Sequence, residues 1–299
     1  MRARSTAQLG SIVKSPSTAP LPPFDGGWLV ASGSREAFLR YASDAAVNWS
    51  DELEQLHDAQ GRLHFLDVAT RRAILAAVGE ADGSTIVDLG CSSGYLLEEL
   101  RAAHPGATLL GIDLVESGLR RAHAAVPDAA LLQADAGSLP LVDSTIELVV
   151  SANLLEHVED DVGVLREVAR ILRPGGRAIF VVPASPGLYD YYDRFLGHVR
   201  RYARGELPRK AHTAGLAVER VSYLGALLYP MFWLVKKRNR RLMAGLSGEA
   251  LERRVGSDIA RTTDSRVGRQ ALRFEQRMRA SGLPSLPFGV RCMTVLRHP

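Results

Sequence analysis

Short apolar segments alternate with amphipathic segments through the middle of the chain. The apolar segments hold four to seven residues rich in β-branched and aliphatic side chains, which predicts buried strands. Between them, apolar residues recur every three or four positions, which predicts helices with one buried side. The predicted strands are Thr85–Leu89, Thr108–Asp113, Ala130–Gln133, Ile146–Ser151, Ala178–Val182, Ala217–Tyr223 and Val290–Leu296. The predicted helices are Tyr95–Ala103, Ser117–Ala125, Asp160–Leu172 and Leu207–Ala214.

Strands that alternate with helices favour parallel pairing, with helices covering both faces of the sheet. The pattern therefore predicts an α/β fold with a doubly wound, mostly parallel sheet of seven strands. We place this core at residues 81–225 and its final strand within 286–299. The Arg-Pro-Gly-Gly turn at 173–176 cannot continue a helix and is expected to end the preceding one.

Three segments lie outside the predicted core. Residues 1–27 are rich in Pro, Ser and Gly and predict a disordered or loosely draped leader. Residues 28–80 predict a helical segment, with one helix over Arg35–Val47 and a second ending in Phe65–Leu75. Residues 226–285 predict a helical insertion or lid.

Charge is distributed unevenly along a chain whose net charge is only +4. Residues 200–299 carry 21 Lys/Arg and 7 Asp/Glu, whereas residues 1–199 carry 16 and 26. Either the C-terminal part meets something anionic, or the two parts neutralise each other within the fold.

The longest apolar run, 224–235, has twelve residues, and the basic cluster 236–241 follows it. A membrane-spanning helix needs about 20 apolar residues, so we expect none. An apolar patch beside a cationic cluster fits peripheral membrane contact through 224–241, or an amphiphilic, anionic acceptor. The alternative is a buried lid helix with a solvated basic end.

The segment Val87 to Gly94, VDLGCSSG, carries the clearest chemical signal. A strand runs into a glycine turn and then into a helix, and a glycine at position 90 lets the backbone pass close to a ligand. Its spacing, D-x-G-x-x-x-G, lacks the middle glycine of the dinucleotide fingerprint G-x-G-x-x-G, which disfavours a nicotinamide oxidoreductase. A purely structural turn remains an alternative.

Two acids strengthen the case for a nucleoside-type ligand. Asp113 ends the second core strand and can accept two ribose hydroxyls, and Asp135 closes the third and can accept an adenine amine. Either acid alone would more often cap a helix or solubilise a loop. Ligands of open α/β sheets bind at the carboxyl ends of the strands, where both residues lie with Gly90.

Together these stretches resemble the class I S-adenosylmethionine (SAM)-dependent methyltransferases, in particular the group that includes ubiquinone- and menaquinone-biosynthesis methyltransferases. The matching stretches are VDLGCSSG (87–94), GIDLVESGL (111–119), QADAGSLPL (133–141), ELVVSANLLEHVED (147–160) and LREVARILRPGGRAIFVVPA (165–184). The resemblance implies a Rossmann-like fold, SAM as cofactor and methyl transfer as activity.

The resemblance also implies roles for individual residues. The loop containing Asp88, Gly90, Cys91 and Gly94 would hold the methionine part of SAM. Further along the chain, the implied contacts are Asp113 with the ribose, Leu114 with the adenine face, Asp135 and Ala136 with the adenine edge, and Asn153 and Leu154 with the methyl-donor end.

Two histidines are candidate bases for an acceptor hydroxyl, His157 just past the fourth strand and His198 in the segment after the fifth. Either could instead be a structural anchor, and for His157 that would be at the start of the helix predicted from Asp160. Some quinone-pathway relatives bind a divalent metal with acids near this Glu-His pair. Here Asn153 stands at the expected upstream acid, and Glu156 with His157 gives too few ligands, so we expect no metal. The residues expected to contact the acceptor are Tyr189, Tyr192 and Arg201.

The sequence thus predicts a methyltransferase for a small or amphiphilic acceptor such as a secondary metabolite, lipid or glycan, acting at oxygen. The alternative is a SAM-binding regulatory or scaffold protein without catalysis. Nucleic-acid acceptors are disfavoured, because the turn after the fourth strand lacks an Asn/Asp-Pro-Pro-aromatic motif and aromatic residues make up only 6% of the chain. Two cysteines are too few for a disulfide framework and fit a cytoplasmic protein.

Overall fold

The computed structural model describes residues 6–17, 19–41, 54, 55, 58, 62–243, 265–280 and 286–299. Its strands are β1 (Trp28–Leu29), β2 (Arg35–Glu36), β3 (Phe38–Arg40), β4 (Thr85–Leu89), β5 (Thr108–Asp113), β6 (Ala130–Gln133), β7 (Ile146–Ala152), β8 (Leu172–Pro183), β9 (Ala217–Leu224) and β10 (Arg291–Arg297). Its α-helices are α1 (Thr6–Gly10), α2 (Phe65–Val78), α3 (Tyr95–Ala103), α4 (Glu116–Ala125), α5 (Asp161–Ile171), α6 (Tyr191–Phe195), α7 (Glu206–Thr213), α8 (Tyr229–Met243) and α9 (Arg266–Ala280). Two short 3₁₀ turns cover Leu155–His157 and Pro186–Leu188.

A single large sheet organises these elements. Eight strands lie in the order β3-β6-β5-β4-β7-β8-β10-β9, and all run parallel except β10, which is antiparallel to both of its neighbours. Every residue of β4 is buried, as expected for a central strand with helices on both faces. The predicted Rossmann-like α/β fold is confirmed, with one strand more than the seven expected.

The extra strand corrects the prediction of a helix over Arg35–Val47. Residues 35–36 form β2 and residues 38–40 form β3, which pairs in parallel with β6 through Phe38 and Leu131. Phe38 and Leu39 point to opposite faces of the sheet, and both are buried because this edge strand is covered on both faces. A strand buried on both faces has consecutive apolar residues, and such a run cannot be told from a buried helix by its period. Residues 42–47 lie outside the described residues.

The described part of the predicted leader is also ordered against the core, which corrects the expectation for residues 1–27. Leu9, Ile12, Val13 and Phe24 are buried in the main apolar cluster. The amide of Lys14 donates to the carbonyl of Pro140 at 2.9 Å, which ties the segment to the core. These apolar residues are separated by Pro, Ser and Thr and show neither a helical nor a strand period, so the sequence does not predict their burial.

The helix before the Arg-Pro-Gly-Gly run at 173–176 ends at Ile171, as predicted, but the run itself is part of β8 and not a separate turn. The pairing of β8 with β7 shifts register between Ile146 and Leu148, so the strand continues through an irregularity. Gly175 has φ of +78°, which glycine tolerates, and its amide donates to the carbonyl of His298 at 2.9 Å. The predicted insertion contains α8 and α9, and its residues 244–264 and 281–285 lie outside the described part. Among the helices that the structure describes, none is long and apolar enough to cross a bilayer.

Trp28 anchors the N-terminal segment to the sheet. Its side chain is fully buried, its indole N–H donates to the carbonyl of Leu131 at 3.0 Å, and its ring lies 5.0 Å from that of Phe24. A buried Trp with a satisfied N–H contributes both apolar area and a hydrogen bond.

We therefore predict that Trp28→Ala lowers the free energy of unfolding by about 3–5 kcal/mol, because it leaves a cavity and an unpaired carbonyl. The matched control is Leu29→Ala, since Leu29 is 46% exposed and its loss should change stability by no more than about 0.5 kcal/mol. Urea unfolding of both variants provides the measurement. Equal effects would show that the N-terminal segment is not packed on the sheet.

Candidate active site

The glycine loop after β4 is hydrogen-bonded to the end of β5. The amides of Gly90 and Cys91 donate to the carbonyl of Ile112 at 2.8 and 3.1 Å. The amide of Ser92 donates to Oδ2 of Asp113 at 2.8 Å, and the amide of Val115 donates to Oδ1 at 2.9 Å. Asp113 thus holds the loop after β4 and the start of α4 in one arrangement.

Left-handed backbone explains the glycines of this loop. Gly90 has φ of +80°, and a Cβ there would lie 3.2 Å from the side chain of Leu154, so the predicted close approach is made by Leu154. Gly94 has φ of +79°, and a Cβ there would lie 2.8 Å from Ala122 of α4. Ser92 also has a positive φ, +45°, a backbone conformation that glycine adopts at lower cost than serine.

The structure brings Asp113 and Asp135 to the same sheet edge. Asp113 pairs in register with Gln133, and the amide of Ala134 donates to the Asp113 carbonyl at 3.1 Å, which places Asp135 just beyond. Burial raises the pKa of Asp113 to about 6, although its backbone hydrogen bonds act against the rise. Its carboxylate retains lone pairs for further donors. Oδ1 of Asp135 accepts from the amide of Gly137 at 2.8 Å. Of the predicted adenine contacts beside these acids, Leu114 is partly exposed and Ala136 is buried.

A solvent-open cavity lies beside the glycine loop. It is lined by Asp67, Thr70, Arg71, Asp88, Gly90, Cys91, Ser92, Ser93, Tyr95, Leu96, Ala152, Asn153 and Arg291. The structure thus brings four of the predicted cofactor contacts, Asp88, Gly90, Cys91 and Asn153, around one space.

Two polar side chains at this cavity have unused hydrogen-bonding capacity. Oδ1 of Asn153 is buried and has no hydrogen-bond partner among the described residues. Oδ2 of Asp88 is also buried and has no hydrogen-bond partner among the described residues. Burial raises the pKa of Asp88 to about 8, and the nearby charge of Asp113 adds to the rise. Buried polar atoms are rarely left unpaired, so both are candidates for ligand contacts.

Several residues at the site carry no sequence signal. Glu54 accepts hydrogen bonds from the hydroxyls of Ser92 and Ser93 at 2.6 and 3.0 Å and forms an ion pair with Arg121 at 3.3 Å. Glu54 belongs to no motif in the sequence, so the sequence does not predict that it contacts the glycine loop. Its contacts exist only because the chain folds back over the loop.

Arg291 reaches the cavity because β10 is antiparallel to its neighbours, which brings its first residue to the carboxyl edge of the parallel strands. The guanidinium contacts Oδ1 of Asp67 at 2.6 Å and the hydroxyl of Thr70 at 2.5 Å. This position follows from strand direction, which the local sequence does not reveal.

The two predicted histidines lie together just past Asn153. The rings of His157 and His198 are 4.8 Å apart and nearly perpendicular, at 85°. Nε2 of His198 lies 4.0 Å from Oε1 of Glu156, whose side chain is fully buried. Neither Glu156 oxygen has a hydrogen-bond partner within the described part of the chain, and burial raises the pKa of this carboxyl to about 6.

The helix that follows His157 is capped by another residue, and the anchoring role considered for His157 stays an alternative. Asp160 caps α5, accepting the amide of Gly163 on its Oδ1 at 2.9 Å.

The expectation of no metal rested on too few ligands, and the structure adds a third. One ligand atom from each of Glu156, His157 and His198 lies within 4.8 Å of the others. Two imidazoles and a carboxylate are a donor set that zinc accepts, with a fourth position left open. The absence of a metal stays a prediction.

A buried aspartate on α6 organises the surroundings of His198. Oδ1 of Asp193 lies 3.0 Å from Nδ1 of His198 and accepts from Nε of Arg201 at 2.6 Å, and Oδ2 lies 3.1 Å from Nζ of Lys236. Burial by itself would raise the pKa of Asp193, but the His198 hydrogen bond and the charges of Arg201 and Lys236 outweigh it and lower the pKa.

This network engages the residues expected to contact an acceptor. Arg201 is committed to Asp193, and the hydroxyl of Tyr189 donates to the carbonyl of His198 at 2.8 Å. Tyr192 lies close to Lys236, whose ammonium is 5.8 Å from the ring centre. Each of the three residues contacts a member of this network, so together they form a wall beside it, and their contact with an acceptor stays a prediction.

Comparison with known proteins adds an independent observation. Residues 87–180 match the protein family named 'Methyltransferase domain'. The ubiquinone/menaquinone biosynthesis C-methyltransferase UbiE of Syntrophotalea carbinolica is 34% identical over 172 residues, covering 53% of this chain and 68% of that protein. The chain belongs to the class I SAM-dependent methyltransferases.

The relatives of this chain are named for methylation of different atoms. A ubiquinone biosynthesis O-methyltransferase of Cupriavidus pinatubonensis is 30% identical over 57% of this chain and 66% of that protein. The chain spans about half to two thirds of the length of the curated relatives that it matches.

Solved structures share the fold of this chain at low sequence identity. A chain of the complex between the Haloferax volcanii Trm112 methyltransferase activator and a putative methyltransferase has a TM-score of 0.58 at 22% identity, covering 85% of this chain and 98% of that chain. Phosphoethanolamine N-methyltransferase 2 of Haemonchus contortus, solved with SAM, has a TM-score of 0.53 at 15% identity, covering 77% of this chain and 52% of that chain. SAM is the cofactor of the family.

We predict that Glu156→Gln changes the pH dependence of stability. The folded pKa of Glu156 is about 6, above its ordinary value of 4.5. Folding therefore favours the protonated form, and the parent chain loses stability as pH rises from about 4.5 through about 6. Glutamine does not titrate, so the parent should lose about 2 kcal/mol more than the variant between about pH 4 and about pH 7.

Urea unfolding at both pH values, with a chelator present so that no cation contributes, measures this difference. Parallel pH profiles for the two chains would show that the Glu156 carboxyl is not buried as described.

Proposed function

We propose that this protein transfers the methyl group of SAM to a hydroxyl of a small or amphiphilic acceptor. The observation that carries the proposal is the histidine pair beside the buried Glu156, immediately after the Asn153 turn that lines the cavity. A hydroxyl acceptor has to lose its proton, and imidazole is the side chain best suited to accept it near neutral pH. The relatives include both C- and O-methyltransferases, so the choice of oxygen rests on this pair.

The residues at this edge of the sheet fit SAM, with Asp88 and Asn153 in the cavity lining and Asp113 and Asp135 at the ends of β5 and β6 beside it. The lone pairs that remain on the Asp113 carboxylate suit ribose hydroxyls, and the unpaired Oδ1 of Asn153 suits a donor on the methionine part. Asp88 offers a carboxyl that a neighbouring ammonium would favour in its ionised form, and Asp135 lies where an adenine amine could donate. When bound, SAM supplies a methyl group on a sulfonium, which is already electrophilic.

His157 and His198 take different parts in this proposal. His198 has its Nδ1 engaged by Asp193 and its Nε2 directed at Glu156, so it is held as a positioning residue. His157 packs edge-on against it and is the candidate base. The wall formed by Tyr189 and Tyr192 suits an acceptor with an aromatic or apolar part.

We predict that Asp113→Asn weakens binding of S-adenosylhomocysteine by about 10- to 100-fold, because hydrogen bonds to a charged carboxylate are lost. Asp135→Asn should have a smaller effect in the same direction. The control is Asp25→Asn, whose side chain is 75% exposed and should leave affinity unchanged. Isothermal titration calorimetry measures all three, and parental affinity in the Asp113 variant would remove the ribose assignment.

We further predict that His157→Gln slows methyl transfer about 10²- to 10⁴-fold while leaving S-adenosylhomocysteine affinity unchanged. The assay supplies SAM with a ¹³C-labelled methyl group to a panel of phenols, quinols and carboxylic acids and locates the label by NMR. His212→Gln, an exposed histidine on α7, serves as the control. A label bonded to carbon, or parental turnover in the His157 variant, would overturn the proposal.

A further inference from the structure

The helix α8 is held in a fixed rotation by its inner side. Leu228, just before the helix, is 3% exposed, and Phe232 packs against the cluster that contains Phe65 and Leu66. One turn further, Nζ of Lys236 lies 2.8 Å from Oδ1 of Asp190 and 3.1 Å from Oδ2 of Asp193. A buried ammonium between two buried carboxylates is costly to remove, so the opposite side of the helix cannot turn inward.

The outer side of α8 is apolar, whereas the side of a helix that faces water is normally polar. Its exposed apolar residues are Leu227 (42% exposed), Met231 (44%), Trp233 (44%), Leu234 (63%) and Val235 (48%). Phe288, which is 42% exposed, extends the patch, because its ring lies 5.6 Å from that of Tyr229 at the start of the helix. Scattered exposed apolar residues are ordinary, but a contiguous patch on one helix marks an interaction surface.

A cationic cluster borders the patch. Lys237, Arg238 and Arg240 are exposed, and Tyr229–Met243 contains no acidic residue. The ammonium of Lys237 lies 4.8 Å from the ring centre of Trp233, which joins the apolar and charged parts of the surface. An apolar side with an aromatic residue beside lysine and arginine is typical of a helix that lies in the plane of a membrane interface.

We propose that this outer side of α8, together with Phe288, docks on the surface of a bilayer that contains anionic phospholipid. The apolar side chains enter the headgroup region and the cationic cluster neutralises lipid phosphates. At 15 residues the helix is too short to span a bilayer, so it lies on the surface. The inference goes beyond the proposed function and does not depend on it.

The proposal also places the membrane relative to the candidate site. Lys236 shares Asp193 with His198, so one side of α8 contacts the histidine network and the other side contacts lipid. An amphiphilic acceptor held in the same bilayer would then lie within reach of the wall formed by Tyr189 and Tyr192.

The test is co-sedimentation of the full chain with vesicles of phosphatidylcholine alone or of phosphatidylcholine with phosphatidylglycerol. We expect binding to the anionic vesicles only, reduced by added salt. Lys237→Gln with Arg238→Gln should weaken it about tenfold or more, since each cation near the surface contributes to binding. Trp233→Ala with Leu234→Ala should weaken it by a similar factor.

Matched controls remove the same groups elsewhere on the surface. Leu63→Ala with Val218→Ala removes apolar side chains that are 72% and 41% exposed, and Arg209→Gln with Arg220→Gln removes two exposed charges. Both controls should bind vesicles as the parent does. Every variant is checked for parental S-adenosylhomocysteine affinity, which also separates this test from that of the proposed function.

Three results would overturn the proposal. One is equal binding to both kinds of vesicle, and another is equal loss in the α8 variants and the controls. The third is binding of duplex DNA as tight as that of anionic vesicles and weakened by the same substitutions, which would make the surface a general polyanion site.

Discussion

The arrangement of the candidate site depends on one half-buried carboxylate, that of Asp113. It accepts the amides of Ser92 and Val115, and so joins the loop after β4 to the helix after β5. Burial opposes its ionisation, and the two backbone hydrogen bonds offset part of that cost. Hydroxyl groups of a ligand that donate to the same carboxylate would offset more of the cost of burying its charge. Asp113 can therefore both hold the loop in place and bind a ligand.

A second carboxylate, that of the buried Asp193, organises the opposite side of the site in the same way. It is ionised because Arg201, Lys236 and His198 surround it, and these three come from different segments of the chain. One anion therefore fixes the orientation of a histidine, a loop arginine and the helix α8 together. Movement of α8 away from the core would withdraw Lys236 and change the electrostatic environment of His198.

The sequence was sufficient for the central strands and insufficient at the edges. β4, β5 and β6 begin and end where predicted, because each is a short buried run closed by a glycine or an aspartate. β3 was mistaken for helix, since two adjacent buried residues at a sheet edge fit either period. Glu54 and Arg291 could not be found, because their positions follow from long-range packing and from the reversed direction of β10.

The excess of positive charge in the C-terminal third left two interpretations open, internal neutralisation or an anionic partner. The structure assigns different residues to each. Arg201, Lys236 and Arg291 point inward and pair with Asp193, Asp190 and Asp67. Lys237, Arg238 and Arg240 are exposed on α8, and Arg266, Arg273 and Arg277 are exposed on α9. Neutralisation within the fold therefore accounts for the cations that build the site, whereas those exposed on α8 and α9 remain available to an external anionic surface.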